Sequence, residues 1–349
     1  MKVYEFNPLQ DPRWENLVER HPDASIFHST PWLEALHRTY GYDPVVYTTS
    51  APGQELGNGL VFCRVKSWLT GCRLVSVPFS DHCQPLLDSP ESFNALLSWL
   101  ESSRKQEKCK YIELRPLWAD SLPLGTAGNN AKTESYSLQM LDLRPDLDSL
   151  FRAFHKSCVQ RKIHRAEREQ LVYEEGRSED LLNKFYHLLI ITRRRHGLPP
   201  QPRIWFQNLI QSLGENISIR VASKDSQPVA SILTLFHKTS LVYKYGCSDA
   251  RFHNLGGTLL VFWKAIQDGK RLGAVEYDLG RSELDNPGLI TFKENWGARS
   301  VPLNYYRFPP QHSLAFNSDW KTRVMKQACS RMPDVFLTTT GRLLYRHIG

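Results

Sequence analysis

Apolar and polar positions along the first 142 residues alternate between helical and strand-like spacing. The spacing predicts a helix around Thr30 to Tyr40, strands at Val45–Thr49, Leu60–Arg64 and Leu74–Val77, and a long helix over Ser89–Lys108. Strands at Tyr111–Leu114 and Tyr136–Leu141 complete an α/β lobe. Between them Asp120 to Glu134, rich in Gly, Asn, Ser and Ala, reads as a loop.

From Leu147 the apolar residues Leu147, Leu150, Phe151, Phe154 and Cys158 repeat at helical spacing behind Asp146, a ready N-cap, so a second lobe is expected to begin there. The same helix would carry Arg152, Lys156, Arg161, Lys162, Arg165 and Arg168. This is either a solvated face or a grip on a phosphate-bearing acceptor or tRNA. A helix over Ser178 to Arg195 stops at His196-Gly197-Leu198-Pro199-Pro200, and a short one covers Ile204 to Leu213. Three strands follow, Ile217–Ala222, Val229–Phe236 and Leu241–Cys247, read as an antiparallel meander. The pattern then becomes loop (Ser248 to Gly257), helix (Thr258 to Arg271), strand (Val275 to Leu279), helix (Leu289 to Trp296) and strand (Leu303–Phe308). Residues 318 to 349 form a basic tail with one helix, Trp320 to Ser330. The domains expected are thus 1–142, 143–312 and a tail over 313–349.

A chain of 349 residues exceeds the usual size of one core, and 41% hydrophobic with 23% charged residues is an ordinary globular composition. Charges interrupt every apolar run well before the roughly 18 residues of a membrane span, and the opening stretch lacks an apolar signal core. A cytoplasmic location with no membrane span is therefore expected. Seven cysteines without CxxC pairs suit a reducing compartment and read as mostly buried small hydrophobes. A net charge of +8 favours nucleotides, phosphorylated cofactors or RNA as partners without choosing among them. DNA is not among the expected partners, no spacing supports a metal site, and the oligomeric state is open.

The loop Arg251-Phe252-His253-Asn254-Leu255-Gly256-Gly257 follows a strand and opens onto a helix, where unpaired backbone N–H groups can hold phosphate. Its glycines are also read as making only a tight turn. Asp278 and Arg281 stand at the end of the next strand, where they would contact an acceptor amine and an anionic group, or pin the turn as a local ion pair. Tyr243 and Tyr245 are expected on one face of their strand, either as a proton donor to a leaving group or as core residues. Asp81, His82 and Cys83 put three reactive types side by side, but adjacent residues of an extended chain point apart, which argues against a dyad.

The loop resembles a degenerate form of the R/Q-x-x-G-x-G/A pyrophosphate loop of GNAT acyltransferases, with Asn254 at the first glycine position. The wider run YKYGCSDARFHNLGGTLLVFWKAI (Tyr243–Ile266), YDLGRSELDNPGLITFKENWG (Tyr277–Gly297), Pro228-Val229-Ala230 and Ser29-Thr30-Pro31-Trp32 is similar to the FemAB and BioF2-like branch of that superfamily. The resemblance implies an α/β (α+β) fold of tandem GNAT-like lobes, each a mixed, mostly antiparallel sheet flanked by helices. The sheet would splay between Leu241–Cys247 and Val275–Leu279 to admit the donor. In Phe292-Lys293-x-x-Trp296-Gly297 the resemblance implies that Lys293 stabilises charge on the acyl carbonyl or leaving group. It also implies an acceptor contact at the Asp81-His82 loop. The nucleotide-binding lysine of peptidoglycan-bridge members is replaced by Leu36, and the coiled-coil arm of some tRNA-using members has no counterpart.

These features lead to an acyltransferase that moves an acyl group from a thioester, acyl-CoA, to an amine or hydroxyl of a sugar or cell-envelope precursor. No permanently bound cofactor is expected. The residues assigned are Lys293, Asp278 and Tyr245 for catalysis, Arg251, His253, Asn254, Leu255, Gly256 and Gly257 for the donor, and Arg281, Asp81, His82 and Tyr243 for the acceptor. Two other readings stay open, an aminoacyl-tRNA-dependent aminoacyltransferase and a non-catalytic binding module.

Overall fold

The computed structural model describes residues 1–123, 131–310 and 319–349. The chain divides into two units: Met1–Tyr136 with Pro302–Ala315 and Leu343–Gly349, and Ser137–Val301 with Phe316–Arg342. This differs from the expected boundary at 142 and from the separate tail over 313–349. The last strand pairs within the first unit, Tyr306–Phe308 against Ile112–Leu114, and the tail divides between both units. Most of the loop expected over 120–134 lies outside the described residues.

The first unit is built from β1 (Tyr4–Phe6), α1 (Pro12–Arg20), α2 (Thr30–Tyr40), β2 (Asp43–Thr48), β3 (Leu60–Ser67), β4 (Gly71–Val75), α3 (Pro90–Gln106), β5 (Ile112–Leu114) and the start of β6 (Lys132–Asp142). β1 to β4 pair antiparallel in sequence order, and β4 pairs parallel with β5. Ser29 starts α2 by accepting from the Trp32 N–H, with a proline in the first turn, and Leu36 falls on its fully buried face. Because β4 and β5 run parallel, Cys72 comes level with Cys109 at a Cα separation of 4.6 Å, and the two form a disulfide. The reading of the cysteines as mostly buried small hydrophobes suited to a reducing compartment does not cover this pair.

The second unit continues with α4 (Leu147–Ala153), a π-helical turn (Lys156–Gln160), α5 (Arg161–Arg168), β7 (Val172–Gly176), α6 (Glu179–Arg195), α7 (Arg203–Leu213), β8 (Ile217–Lys224), β9 (Gln227–His237), β10 (Ser240–Ser248), α8 (Gly257–Arg271), β11 (Glu276–Glu283) and α9 (Pro287–Glu294). β12 (Arg299–Phe308), α10 (Asp319–Arg331) and α11 (Asp334–Ile348) close the chain. The strand order in this unit is β6-β11-β10-β9-β8-β7, with β8 to β10 forming the expected meander. The single helix expected from Leu147 through Arg168 is broken. Phe154 turns extended to set its ring on Trp263 and Trp296, and the His155 N–H donates to Asn295 O (2.9 Å) instead of continuing the helix. Phe262 of α8 stacks on Trp296 at 5.5 Å, and burying each such ring contributes about 1.5–3 kcal/mol.

At the end of β9, burial and then neighbouring Lys238 lower the His237 pKa to about 4, so the folded protein keeps the ring neutral. The unfolded chain binds its proton near pH 6.5, and stability therefore falls as pH drops from about 6.5 to 4. Allowing for partial exposure, His237→Gln should remove about 1–2 kcal/mol of that pH dependence, read from denaturant melts at pH 7 and pH 4.5.

Candidate active site in the second unit

β10 and β11 lie side by side and parallel, but they pair only at Ser240–Glu276, Leu241–Tyr277 and Val242–Asp278. Beyond that point β10 keeps its partner β9 as far as Ser248 and has no β11 partner among the described residues. The sheet thus opens between the two C-terminal strand ends. The loop leaving β10 and the turn leaving β11 flank the same opening, because parallel strands end on the same side.

A bulge in β10 sets the side chains at this opening. Register with β9 shifts between Tyr243 and Tyr245, so Lys244 is the extra residue and the alternation of faces is broken. Tyr243 packs on Phe262 of α8, whereas Tyr245 packs on Phe206 of α7 and its hydroxyl accepts from Trp205 Nε1 (2.9 Å). The two tyrosines therefore do not share a face. The Tyr243 phenol also lies over Gly246, where an added Cβ would sit 2.0 Å from its oxygen.

On β11, buried Asp278 accepts from the Gly280 N–H (2.7 Å), and Gly280 has φ +75°. Lys293, only 2% exposed, donates from Nζ to Gly280 O (2.6 Å), Arg281 O (3.1 Å) and Ser282 Oγ (2.9 Å). An ammonium has three N–H donors, and these three acceptors match them. Lys293 therefore grips the end of β11 from within. Behind it Ser282 Oγ donates to Gln139 Oε1 (2.8 Å), and Gln139 Nε2 donates to Ser137 Oγ (2.6 Å) and Ser300 Oγ (3.2 Å). Arg281 is half-buried and pairs with Glu283 at 3.6 Å.

After β10, Asp249 caps a 3-10 turn over Ala250–Leu255 and also holds the Arg251 guanidinium. His253 Nε2 lies 2.9 Å from Ser248 Oγ and accepts from Arg195 (3.4 Å). Burial and then Arg195 lower its pKa, while Asn254 is exposed. Gly256 adopts the left-handed conformation (φ +81°) against the Lys162 carbonyl, which would sit 2.2 Å from an added Cβ. Gly257 meets Val229 in the same way at 2.9 Å. Both glycines are thus required by packing. The first N–H groups of α8 have no partner within the helix, and Gly256 brings no side-chain cap.

A cavity of about 380 Å³ lies beside this helix start, lined by Val159 and Lys162, by Leu259 of the first turn of α8, and by Gly288, Thr291 and Phe292 of α9. The sequence reading did not find these lining residues. The π-helical turn that carries Val159 has no period that apolar spacing reports. Lys162, with the other cations Arg152, Lys156, Arg161, Arg165 and Arg168, is exposed.

Asp81 and His82 belong to the first unit. Tyr305 Oη donates to Asp81 O (2.5 Å), and the buried His82 ring meets Phe27 edge-on at 5.5 Å. The histidine near Cys83 is not His82 but His28, at 3.3 Å. His28 Nδ1 accepts from the Ser25 N–H (3.0 Å), so Nε2 carries the proton and donates to Gln84 O (2.7 Å). It cannot serve as the thiol's base, and burial pushes Cys83 up to about 12.

Removing the Lys293 donors leaves three acceptors at the β11 end unsatisfied. Lys293→Met should cost about 3 kcal/mol or more in urea denaturation, against near-neutral effects for Lys156→Met at an exposed ammonium.

Residues 153–294, inside the second unit, match the family described as an acetyltransferase (GNAT) domain. No curated protein matches the chain. Among solved structures it is similar to FemX, with TM-score 0.68 at 16% identity over 87% of this chain and 97% of that one. It is also similar to the C-terminal domain of a putative lysylphosphatidylglycerol synthetase from Agrobacterium fabrum (TM-score 0.54, 15% identity, 84% and 90% covered). A third is a tandem GNAT protein from the clavulanic acid biosynthesis pathway (TM-score 0.54, 12% identity, 88% and 98% covered). The strand order, the opening between β10 and β11 and the matched domain together give a GNAT-type acyltransferase fold.

Proposed function

We propose that the second unit transfers an acyl group from a thioester, acyl-CoA, to an amine or hydroxyl of a sugar or cell-envelope precursor. The observation that carries this reading is the end of β10–β11 pairing after Val242 and Asp278. An open strand edge offers N–H and C=O groups to any extended amide-bearing chain, and the pantetheine arm is such a chain. A thioester carbonyl brought against β10 would meet backbone N–H groups that stabilise its developing negative charge.

The acceptor nitrogen or oxygen attacks the thioester carbon, the C–S bond breaks, the leaving sulfur takes a proton from a phenol, and the proton released by the acceptor N–H or O–H returns to that phenolate. Tyr243 stands on the α8 face of β10 beside the opening and is the proton donor in this scheme. Tyr245, turned to Trp205, serves packing. Arg281 meets the acceptor's anionic group, while Asp278, buried against the Gly280 N–H, holds the turn beside it. Lys293 acts by holding the β11 end in place. The donor's phosphates fit the first turn of α8, near Gly257 and Leu259 with Lys162 alongside, better than the face of Gly256, which the Lys162 carbonyl covers.

The resemblance of the Phe292-Lys293-x-x-Trp296-Gly297 run to FemAB transferases and the exposed cations of α5 favour one second reading, an aminoacyl-tRNA donor. Binding of charged tRNA would then weaken steeply with salt. Acyl-CoA at about 100 times its dissociation constant should stabilise the protein by roughly 2.7 kcal/mol. Stabilisation by tRNA and not by acyl-CoA selects the second reading; no response to either selects a binding module.

Thr291→Trp, on the exposed face of α9, fills the 380 Å³ cavity and should raise the donor KM about tenfold with the melting temperature unchanged. Tyr243→Phe should lower kcat by about 10²-fold at unchanged stability, whereas Tyr245→Phe should cost about 1 kcal/mol of stability and leave kcat near wild type.

A further inference from the structure

The first unit carries an exposed apolar feature outside the candidate site of the second unit. The β3–β4 hairpin ends in Ser67-Trp68-Leu69-Thr70, where Trp68 is 86% and Leu69 54% exposed. A large indole held in water is unusual, because aromatic side chains supply most of the burial in cores and interfaces. This tip is also held in shape. The Leu69 and Thr70 N–H groups donate to Ser67 Oγ (3.1 and 3.0 Å), Arg73 donates to Thr70 Oγ1 (2.5 Å), and the Cys72–Cys109 disulfide ties β4 directly beneath.

The end of α11 lies against the tip. His347 Nδ1 is 3.0 Å from Ser67 Oγ, its carbonyl accepts from Thr70 Oγ1 (3.1 Å), and its ring meets Trp68 edge-on at 5.5 Å. Exposed Arg346 and Ile348, the latter 60% exposed, stand on either side of His347 in sequence. Exposed Lys110 reaches the hairpin at Gly71, where an added Cβ would sit 3.0 Å from Nζ, and Lys66 is exposed, with Asp43 at 3.8 Å. Trp68 and Leu69 at the tip, and Ile348 next to His347 in sequence, are thus flanked along the chain by the exposed cations Lys66 and Arg346, with Lys110 at Gly71.

A protein partner with a stable interface covers roughly 800 Å² per side, more than a four-residue hairpin tip offers. A small projecting tip fits a surface that deforms around it, and the cations set that surface's sign. We propose that the Trp68-Leu69 tip and the end of α11 dock this protein on an anionic membrane surface. Trp68, Leu69 and Ile348 enter the headgroup boundary, and Lys66, Lys110 and Arg346 face anionic lipid. This is peripheral attachment, and no described helix is long and apolar enough to cross a membrane.

Full-length protein is sedimented with phosphatidylcholine vesicles containing phosphatidylglycerol, and with pure phosphatidylcholine vesicles, at low and high salt. Binding is expected to the anionic vesicles alone, reduced by salt, and weakened at least about tenfold in the double variant Trp68→Ser/Leu69→Ser and in Lys110→Glu/Arg346→Glu. Leu69→Asp alone decides the matter if the first double variant fails to fold. The proposal is overturned by no sedimentation at low salt or by full binding of the tip variants, which would mean charge adsorption alone. A wild-type dimer that the tip variants convert to monomer also overturns it, since a second copy then covers the tip.

Discussion

Everything in the second unit's candidate site follows from one broken ladder. Two parallel strands that pair at three positions and then part leave backbone groups that must find other partners, since unpaired buried N–H and C=O groups cost free energy comparable to lost hydrogen bonds. At Gly280 and Arg281 the partners are side chains, the Asp278 carboxylate for an N–H and the Lys293 ammonium for two carbonyls. Both residues first stand out as candidates for chemistry. Their geometry makes them wedges that hold the β11 end in a shape that a third strand-like chain can join.

That distinction explains what the sequence could and could not reveal. The meander over β8–β10, helices α2, α3, α6 and α8, and the parting of β10 from β11 were legible, because each rests on apolar periodicity, a capping residue or a resemblance. β1, α1, β7 and α11 were missed. β1 and β7 are only three and five residues long, too short for periodicity to separate from loop. The helix from Leu147 ends sooner than apolar spacing implies, because that spacing continues through Phe154 and Cys158 while the backbone is diverted by the Asn295 carbonyl, more than a hundred residues away. The shared face of Tyr243 and Tyr245 failed for a similar reason. One inserted residue, Lys244, inverts the alternation, and only the pairing with β9 shows it.

Charge tells a parallel story. Burying an ion is costly unless it is paired, and each unit meets that cost with arginine. In the first unit, burial pushes the Glu113 carboxyl up, but Arg115 and Arg307 outweigh it and hold it below the usual range. In the second, buried Arg220 lies against Glu175 and Asp268, with the Tyr173 hydroxyl between the two carboxyls. Burial first, and then Asp268 and Glu175 against the opposing Arg220, raises Tyr173, and these networks are structural pairs rather than the candidate site. A perturbed pKa taken alone would have pointed to Tyr173 and Glu113. The strand opening points elsewhere.

The loop after β10 sharpens the same lesson about evidence. A glycine pair before a helix suggests anion binding, yet Gly256 is demanded both by its left-handed backbone and by the Lys162 carbonyl pressed on its Cα, and Gly257 by Val229. The glycines would therefore be kept with no phosphate in view. What does bear on an anion is separate from them: helix-start amides without intrahelical partners, Lys162 on an adjoining cavity, and Arg195 beside His253. Those groups sit on different elements, α5, α6 and α8. A bound diphosphate would draw on all three, whereas a loop kept only for packing would need none of their charges.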